Sequence, residues 1–176
     1  MKTLTLLRHA KSSWGDAAQC DFDRPLNARG RLAARAMGRE ISALGLGFDR
    51  IVASPSARTA ETMAGLAEGH GAGFDTDYDE RVYLASVPTL LRIVHDADDA
   101  HRRLLIVGHS PGVERLALLL SGDGELRDLV ADKYPTGALA EIALPVAHWR
   151  DVGEGGGTLT RFIRPRDLDP DLGLED

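Results

Sequence analysis

The chain has 176 residues, which is enough for one globular domain with a sizeable hydrophobic core. Its net charge of −6 argues against a general nucleic-acid-binding protein, which would present a basic surface. Cys20 is the single cysteine, so neither an internal disulfide nor a cysteine-based zinc site can form. The first residues do not resemble a signal peptide, and no apolar run approaches the ~20 residues of a membrane helix. We therefore expect a cytoplasmic protein with neither a nucleic-acid nor a membrane partner.

Short apolar runs alternate with helix-like segments along the chain. The runs that predict buried strands are residues 3–8, 50–53, 103–107, 137–144 and 158–163, and residues 73–79 are an ambiguous edge strand. The segments that predict helices are residues 27–44, 54–68, 86–96 and 112–120. Asn27 is the expected N-cap of the first helix, and Ser54 followed by Pro55 fits the N-cap and first residue of the second.

This alternation predicts an α/β domain with a mainly parallel sheet that helices cover on both faces. Right-handed crossovers then bring the strand-to-helix turns to one edge of the sheet. The turns expected at that edge are Arg8-His9, Ser54–Arg58, Asp79-Glu80 and Gly108–Ser110. We place the domain at residues 1–165 and expect the acidic stretch 166–176 to be a frayed tail.

His9 is the candidate nucleophile of this edge, since a neutral imidazole can attack phosphorus while its other nitrogen stays protonated. Arg8 and Arg58 are candidate phosphate clamps, because guanidinium groups hold phosphate oxygens in pairs and Arg58 lies near a helix N-terminus. The alternatives are a histidine that merely ends a strand and an arginine on a solvated helix surface. The proximity of these residue types to other polar turns favours phosphate chemistry.

Two further roles follow from the same edge. His109 is expected to donate a hydrogen bond to the phosphoryl group, unless its hydrogen bond is purely structural. Glu80 is the candidate general acid, with Asp77 and Asp79 as alternatives, and a solvated acidic loop as the structural reading of all three. Arg24 either reaches back to the site or lies on the surface.

Two rival chemistries remain. The segment Gly108–Gly112 matches the G-x-S-x-G elbow of serine hydrolases, with Ser110 as nucleophile and His148 as a possible base. However, Pro111 follows the serine and lacks the N–H that the oxyanion hole requires. A metal site formed by His9, His109 and the acids near residue 80 is the other alternative, but the sequence shows no strong metal-ligand spacing and the arginines would repel a cation. We expect neither a metal nor a cofactor.

The motifs in this order resemble the histidine phosphatase superfamily, and within it the SixA-type phosphohistidine phosphatases. The matching segments are Leu7–Trp14, Arg24–Asn27 with Gly30, Ser54–Thr62 and Val107–Ser110. The resemblance implies a three-layer α/β/α sandwich around a mainly parallel sheet. It also implies His9 as the phosphorylated nucleophile, a phosphate pocket of Arg8, Arg58 and His109, and Glu80 in the region of the acid. Arg24 and Ser12 lie in matching motifs and are expected to contact phosphate or substrate.

Two departures from the family pattern bear on the substrate. Ala10 stands where the superfamily commonly has glycine, and its Cβ disfavours a positive φ, so the loop is expected to differ slightly. The chain also has no long insertion before Glu80 that would build a lid. A shallow site suits a phosphorylated protein side chain, and imidazole leaves more readily than an alkoxide.

We therefore expect a metal-independent phosphatase that hydrolyses phosphohistidine on a protein, such as a histidine phosphotransfer protein. The alternatives are a small-molecule phosphomonoesterase of the same fold and a catalytically silent phosphate-binding module.

Overall fold

One mixed sheet organises the chain, which a computed structural model describes over residues 1–173. Its six strands are β1 (Lys2–Arg8), β2 (Arg50–Ala53), β3 (Asp77–Tyr78), β4 (Arg103–Gly108), β5 (Leu139–Leu144) and β6 (Thr158–Ile163). The α-helices are α1 (Ala28–Ala43), α2 (Ala57–His70), α3 (Val87–His95), α4 (Gly112–Leu120), α5 (Glu125–Asp132) and α6 (Pro165–Leu168). The strand order is β3-β2-β4-β1-β5-β6.

The sheet is mainly parallel, as predicted. The pairs β1–β4, β2–β4 and β2–β3 are parallel, whereas β5 is antiparallel to both β1 and β6. Within residues 1–173, β5 is thus the strand that runs against the other five. The ends of β1 and β4 are in register, with Arg8 opposite Gly108. The residues that follow these two strands therefore emerge side by side.

Helices cover both faces of the sheet, which confirms the three-layer α/β/α class. Leu4 and Leu6 of β1 pack in the cluster formed with α3, α4 and α5, whereas Leu7 packs in the cluster formed with α1 and α2. Successive side chains of a strand point to opposite faces. Both faces are buried, so the central strands are continuously apolar and do not alternate with polar residues.

The first helix begins as the sequence predicts, and the second does not. Asn27 caps α1, and its side-chain oxygen accepts a hydrogen bond from Gly30 N at 2.8 Å. In α2, however, the N-cap is Ser56 and the helix begins at Ala57, so the prediction of Ser54 and Pro55 is wrong. The reason is that Ser54 N donates to Val107 O at 3.1 Å, which keeps the backbone extended beyond β2.

The sequence analysis also missed α5, because its apolar pattern is short and only Val130 is buried. Residues 166–173 of the expected tail form the end of α6 and a short 3-10 helix, Pro170–Gly173, which pack near α1. Residues 174–176 lie outside the described residues, and the boundary at residue 165 stays a prediction. Within residues 1–173, no helix combines the length and apolar character needed to cross a bilayer.

Glycines allow α1 and α2 to pack with their backbones in close contact. A Cβ built on Gly38 would lie 2.2 Å from Leu66 O, and one built on Gly69 would lie 2.0 Å from Arg35 O. No side chain fits at those distances without separating the helices. The two helices together form the layer that carries Arg58 at the start of α2.

We therefore expect Gly38→Ala to destabilise the fold, although alanine is the better helix former by about 1 kcal/mol. Overpacking of this kind costs roughly 1–3 kcal/mol and must exceed that gain for the prediction to hold. Urea unfolding measures the difference. Gly73→Ala is the matched control, because nothing lies within 4 Å of its added Cβ. A Gly38→Ala protein as stable as the control would contradict the close packing.

Candidate active site

Two histidines from distant parts of the chain face each other at the ends of neighbouring strands. His9 directly follows β1 and His109 directly follows β4. Their ring centroids are 5.1 Å apart. Both side chains are buried, with 6% and 3% of their surfaces exposed. The parallel pairing of β1 with β4 thus brings together the two histidines that the sequence analysis placed at this edge.

The hydrogen bonds of His9 define its tautomer. Its Nδ1 lies 2.7 Å from Ala10 O, and a carbonyl oxygen only accepts, so Nδ1 carries the proton. The lone pair is therefore on Nε2, to which Arg58 Nε donates at 3.3 Å. Burial lowers the pKa of His9 to about 3, although the hydrogen bond to Ala10 O acts in the opposite direction, and His109, Arg58 and Arg8 lower it further. The ring is neutral at physiological pH, as a nucleophile must be.

Ala10 does not adopt a positive φ in the loop after His9. Among the described non-glycine residues, a positive φ is found at Leu84. Ala10 is fully buried, and its N donates to Thr62 Oγ1 at 3.0 Å. Thr62 Oγ1 in turn donates to Arg58 O at 2.7 Å. This pair of hydrogen bonds connects the loop after His9 to the first turn of α2.

His109 offers one nitrogen to a ligand. Its Nε2 lies 2.7 Å from Ser54 Oγ, while Nδ1 is buried and has no hydrogen-bond partner among residues 1–173. Burial is the main cause that lowers the pKa of His109 to about 3, and the charge of Arg58 adds to it. His109 is thus a second neutral imidazole with one unused polar atom.

Asp21 organises the guanidinium groups of the site. Its backbone oxygen accepts from Arg58 Nη1 at 2.6 Å, and its carboxylate accepts from Arg58 Nη2 at 3.0 Å and Arg24 Nη2 at 2.9 Å. Tyr83 Oη donates to the same carboxylate at 2.5 Å. The hydrogen bond from Tyr83, with those from the arginines, holds the pKa of Asp21 well below its usual range. Asp21 therefore stays ionised and balances part of the positive charge.

The sequence analysis missed Asp21 and Tyr83. Both lie in irregular segments, and their partners come from other parts of the chain, so no local pattern marks them. One signal was available: several arginines predicted to converge require a carboxylate among them, because like charges held together are unfavourable. Asp21 is one of three acids in the loop at residues 10–26, and the sequence does not distinguish it from the other two.

Arg24 reaches back to the site rather than lying on the surface. Its guanidinium donates to Ser12 Oγ and stacks over the ring of Trp14, with its Cζ 3.8 Å from the ring centroid. Arg24 and Ser12 are both buried.

Arg8 donates from Nη1 to Tyr134 O at 2.9 Å, and burial lowers the pKa of its guanidinium. Its Nε is buried without a hydrogen-bond partner in the described chain.

These side chains enclose a cleft of about 280 Å³. The predicted site residues that line it are Arg8, His9, Ser12, Arg24, Arg58 and His109. Lys11 contributes a further positive charge, and Asp21 contributes the acidic side chain. Four cations therefore face one carboxylate in the lining, and the buried histidines are neutral. A cleft of this composition attracts a dianion such as a phosphoryl group.

Glu80 does not lie in the lining of this cleft. It is exposed at the start of the 3-10 helix Glu80–Val82. The two alternative candidates for the general acid form ion pairs: Asp79 pairs with Arg81 at 2.7 Å, and Asp77 pairs with Arg50 at 3.3 Å. The assignment of the general acid among these three residues stays a prediction, and the geometry lends it no support.

The residues of the alternative serine-hydrolase site do not lie together either. Ser110 Oγ donates to Glu114 Oε2 at 2.6 Å, whereas His148 contacts Asp99 at 2.8 Å. Asp99 O in turn accepts from Lys2 Nζ at the beginning of β1, the opposite end of that strand from His9. The serine-hydrolase triad is therefore not formed. Across residues 1–173, no group of three His, Cys, Asp or Glu side chains is placed to hold a metal ion.

Comparison with known proteins agrees with this geometry. Residues 4–82 match the histidine phosphatase superfamily, branch 1. An uncharacterized protein of Mycobacterium tuberculosis is 32% identical over 164 residues, which cover 91% of this chain and 100% of the relative. A structure of a candidate phosphohistidine phosphatase SixA from Agrobacterium tumefaciens superposes with a TM-score of 0.79 and 26% identity, covering 93% of this chain and 98% of that one.

A second such structure, a candidate SixA from Nakamurella multipartitia, has a TM-score of 0.81 and 26% identity, over 93% of this chain and 96% of the other. The chain therefore belongs to the histidine phosphatase superfamily and is similar to its SixA members. It is a hydrolase of the phosphatase class.

The buried neutral histidines predict a loss of stability in acid. Their pKa in the folded state is about 3, below the ordinary value of 6.5, so the unfolded chain takes up protons that the folded chain refuses. The stability that is present above pH 6.5 is thus lost as the pH falls toward 3. Each histidine contributes a slope of up to about 1.4 kcal/mol per pH unit.

Urea unfolding between pH 6.5 and 5, above the range of the carboxylates, measures this slope. We expect His109→Gln to show a shallower decline than the unmodified chain. Identical slopes in the two proteins would contradict the burial of an uncharged His109.

Asp21 is expected to act as a positioning residue for Arg58. Asp21→Asn keeps the size of the side chain but removes the charge, so we expect kcat/KM for phosphate release to fall about tenfold, which corresponds to ~1.4 kcal/mol. Tyr83→Phe removes one of the hydrogen bonds and should have a smaller effect in the same direction. Asp16→Asn is the matched control in the same loop, because Asp16 Oδ1 accepts only from nearby Ala18 N. Equal activity of the Asp21 and Asp16 variants would refute the role.

Proposed function

We propose that the protein hydrolyses phosphohistidine on a phosphorylated protein, through a covalent phosphohistidine formed on His9 and without a metal ion. The observation that carries the proposal is the state of His9. Its Nδ1–H is held by Ala10 O, and the lone pair of Nε2 faces a cleft lined by guanidinium groups. This is the arrangement that in-line attack on phosphorus requires.

In the first step, the hydrogen bond from Arg58 Nε to His9 Nε2 opens as phosphate binds, and Nε2 attacks phosphorus while the P–N bond to the substrate imidazole breaks. The electron pair of that bond goes to the leaving nitrogen, which takes up a proton from solvent. Arg58, whose Nε lies beside the nucleophile, and Arg8 hold the equatorial oxygens and offset their negative charge. In the tautomer in which Ser54 Oγ donates to Nε2 of His109, the Nδ1–H of that ring donates to a phosphoryl oxygen.

In the second step, water attacks phosphorus and the P–N bond to His9 breaks. Inorganic phosphate leaves, and the electron pair returns to Nε2. Throughout both steps the proton stays on Nδ1, hydrogen-bonded to Ala10 O. The ring therefore needs neither a change of tautomer nor a rotation. Pre-organisation of this kind removes reorientation from the barrier.

The nature of the cleft supports phosphohistidine as the substrate. A phosphate ester loses an alkoxide, which needs a proton from a general acid, whereas imidazole is a better leaving group. The acidic side chain in the cleft lining is Asp21, and its hydrogen bonds keep it ionised. Glu80, Asp77 and Asp79 do not line the cleft. A site without a general acid to protonate an alkoxide is suited to a substrate whose leaving group needs little protonation.

Trapping the intermediate tests the mechanism. Brief incubation with a substrate that carries radiolabelled phosphate, followed by an alkaline quench, should leave acid-labile label on the protein. His9→Ala should carry no label and should lose at least about 10³-fold in kcat. Ser110→Ala is the matched control. Because Ser110 Oγ donates to Glu114, this substitution should leave labelling and turnover largely intact. Label retained in the His9 variant would overturn the proposal.

A substrate panel tests the proposed substrate. We expect phosphohistidine peptides to be hydrolysed with a higher kcat/KM than common sugar and amino-acid phosphate esters, and the rate to be unchanged after treatment with EDTA. Faster turnover of an ester would favour a small-molecule phosphomonoesterase, and binding of phosphate without turnover would favour a silent binding module. Loss of activity in EDTA would refute metal independence.

A further inference from the structure

The outer part of the active-site cleft carries two apolar side chains, whereas its floor is polar. Trp14 and Leu84 line the same cleft as His9 and His109. The two histidines are buried, but 76% of Trp14 and 55% of Leu84 is exposed. Among the residues that line the cleft, these two are the large apolar ones. We call Trp14 and Leu84 the apolar mouth of the cleft.

Trp14 is held in place from one side. The guanidinium of Arg24 stacks on its ring, with Cζ 3.8 Å from the ring centroid. Arg24 is itself fixed, because it is buried and donates to Ser12 Oγ and to the carboxylate of Asp21. One face of the indole is therefore covered by a fixed cation. Since most of the Trp14 side chain is exposed, the opposite face is accessible to a ligand.

Leu84 has an unfavourable backbone conformation. Its φ is +48°, and a bulky residue in this region costs conformational free energy. The neighbouring residues hold the segment in place: Val82 is buried, and Ala85 O lies 2.2 Å from the position that a Cβ on Gly112 would take. Burial of Leu84 does not offset the cost, because this side chain is exposed. A strained apolar residue that stays exposed in the lining of a cleft points to a binding role.

In-line attack determines which part of a substrate meets the apolar mouth. His9 lies at the buried floor, so the leaving group lies on the opposite side of the phosphorus atom, toward solvent. The apolar side chains exposed in the lining are Trp14 and Leu84. An imidazole leaving group is a flat aromatic ring that can stack on an indole. The leaving group of a sugar phosphate or of phosphoserine has no such ring.

We propose that Trp14 binds the leaving imidazole of the substrate by ring stacking and that Leu84 packs against the same ring. The two residues thereby determine specificity for phosphohistidine over aliphatic phosphates. The inference rests on the proposed function and names the residues that recognise its substrate class. The floor of the cleft recognises the phosphoryl group, and the apolar mouth recognises the ring attached to it.

Phosphoimidazole and phosphoramidate test the role of Trp14, because both lose a nitrogen leaving group and only the first has a ring. Trp14→Ala should lower kcat/KM for phosphoimidazole about tenfold, mainly through a higher KM, and leave that for phosphoramidate within about twofold. Trp14→Phe should restore most of the loss, since a phenyl ring also stacks. Tyr78→Ala, which removes an exposed aromatic ring outside the cleft, is the matched control. Equal losses of Trp14→Ala on the two substrates would overturn the proposal.

Leu84→Gly separates recognition from folding. Glycine adopts a positive φ without strain, which offsets the extra freedom of the unfolded chain, so the melting temperature should change little. The kcat/KM for phosphoimidazole should nevertheless fall about threefold, because the ring loses an apolar contact, while that for phosphoramidate stays the same. An unchanged preference for phosphoimidazole would refute the role of Leu84.

Phosphonates test the apolar mouth without turnover, because their P–C bond is not hydrolysed. Phenylphosphonate should bind about tenfold more tightly than methylphosphonate and should change the fluorescence of Trp14. The other tryptophan, Trp149, is fully buried and lies against Lys2, at the opposite end of β1 from His9, so its emission should not respond. Equal affinities for the two phosphonates, or a fluorescence change that persists in Trp14→Ala, would contradict ring stacking at Trp14.

The two kinds of measurement separate this inference from the proposed function. If phosphohistidine peptides are hydrolysed but the two phosphonates bind equally, the proposed function stands and the apolar mouth is overturned. If phenylphosphonate binds more tightly but phosphohistidine is not hydrolysed, the proposed function fails. In that case hydrolysis of phenyl phosphate, reduced in Trp14→Ala, would overturn the assignment to imidazole in favour of an aryl ester.

Discussion

The site depends on one hydrogen bond, from Nδ1–H of His9 to the carbonyl oxygen of Ala10. An imidazole buried in a cationic cleft can fail as a nucleophile in two ways: it can take up a proton, or it can present the wrong nitrogen. Burial and nearby cations disfavour the first, since the charged ring would be poorly solvated among like charges. The Ala10 bond prevents the second, because it places the proton on Nδ1 and leaves the lone pair on Nε2.

That bond is useful only because the fold holds both of its partners still. Parallel pairing of β1 with β4 fixes where the backbone leaves the sheet, and Thr62 holds the next residue against α2 by accepting from Ala10 N. The same threonine donates to Arg58 O, so the proposed nucleophile and the proposed phosphate clamp are held by one side chain. The close approach of α1 to α2 fixes α2 in turn. The position of His9 therefore depends on packing in the helical layer as much as on the sheet.

The concentration of positive charge has a cost, and Asp21 offsets part of it. Without a phosphate in the cleft, guanidinium groups that converge on one point repel each other. Asp21 accepts from both Arg58 and Arg24 and receives a third bond from Tyr83, which comes from the segment after Glu80. The carboxylate thus orders three separate segments before substrate arrives. It also leaves Arg58 Nε directed at the nucleophile, because its own contacts are with the terminal nitrogens.

The residues that could be predicted from sequence are those whose position follows from strand ends. His9 and His109 follow apolar runs directly, so the topology of a parallel sheet is enough to bring them together. Asp21 could not be predicted in this way, because it lies in a loop whose path depends on its partners. The start of α2 was misplaced for a related reason: Ser54 satisfies its backbone N–H with Val107 of the neighbouring strand, a tertiary contact that no capping pattern reveals.

Glu80 shows that the end of a strand is not always close to the site. Order along the chain placed it after the third strand, at the correct edge of the sheet, yet β3 has only two residues and lies at the far side of β2. The edge of a sheet is wide, and the end of a strand three positions from β1 is not necessarily within reach of His9. Since the acidic residue in the cleft is ionised, the proposed mechanism requires that the leaving group be protonated from solvent. In the proposed mechanism, the position of one short edge strand thus favours substrates whose leaving group needs no general acid.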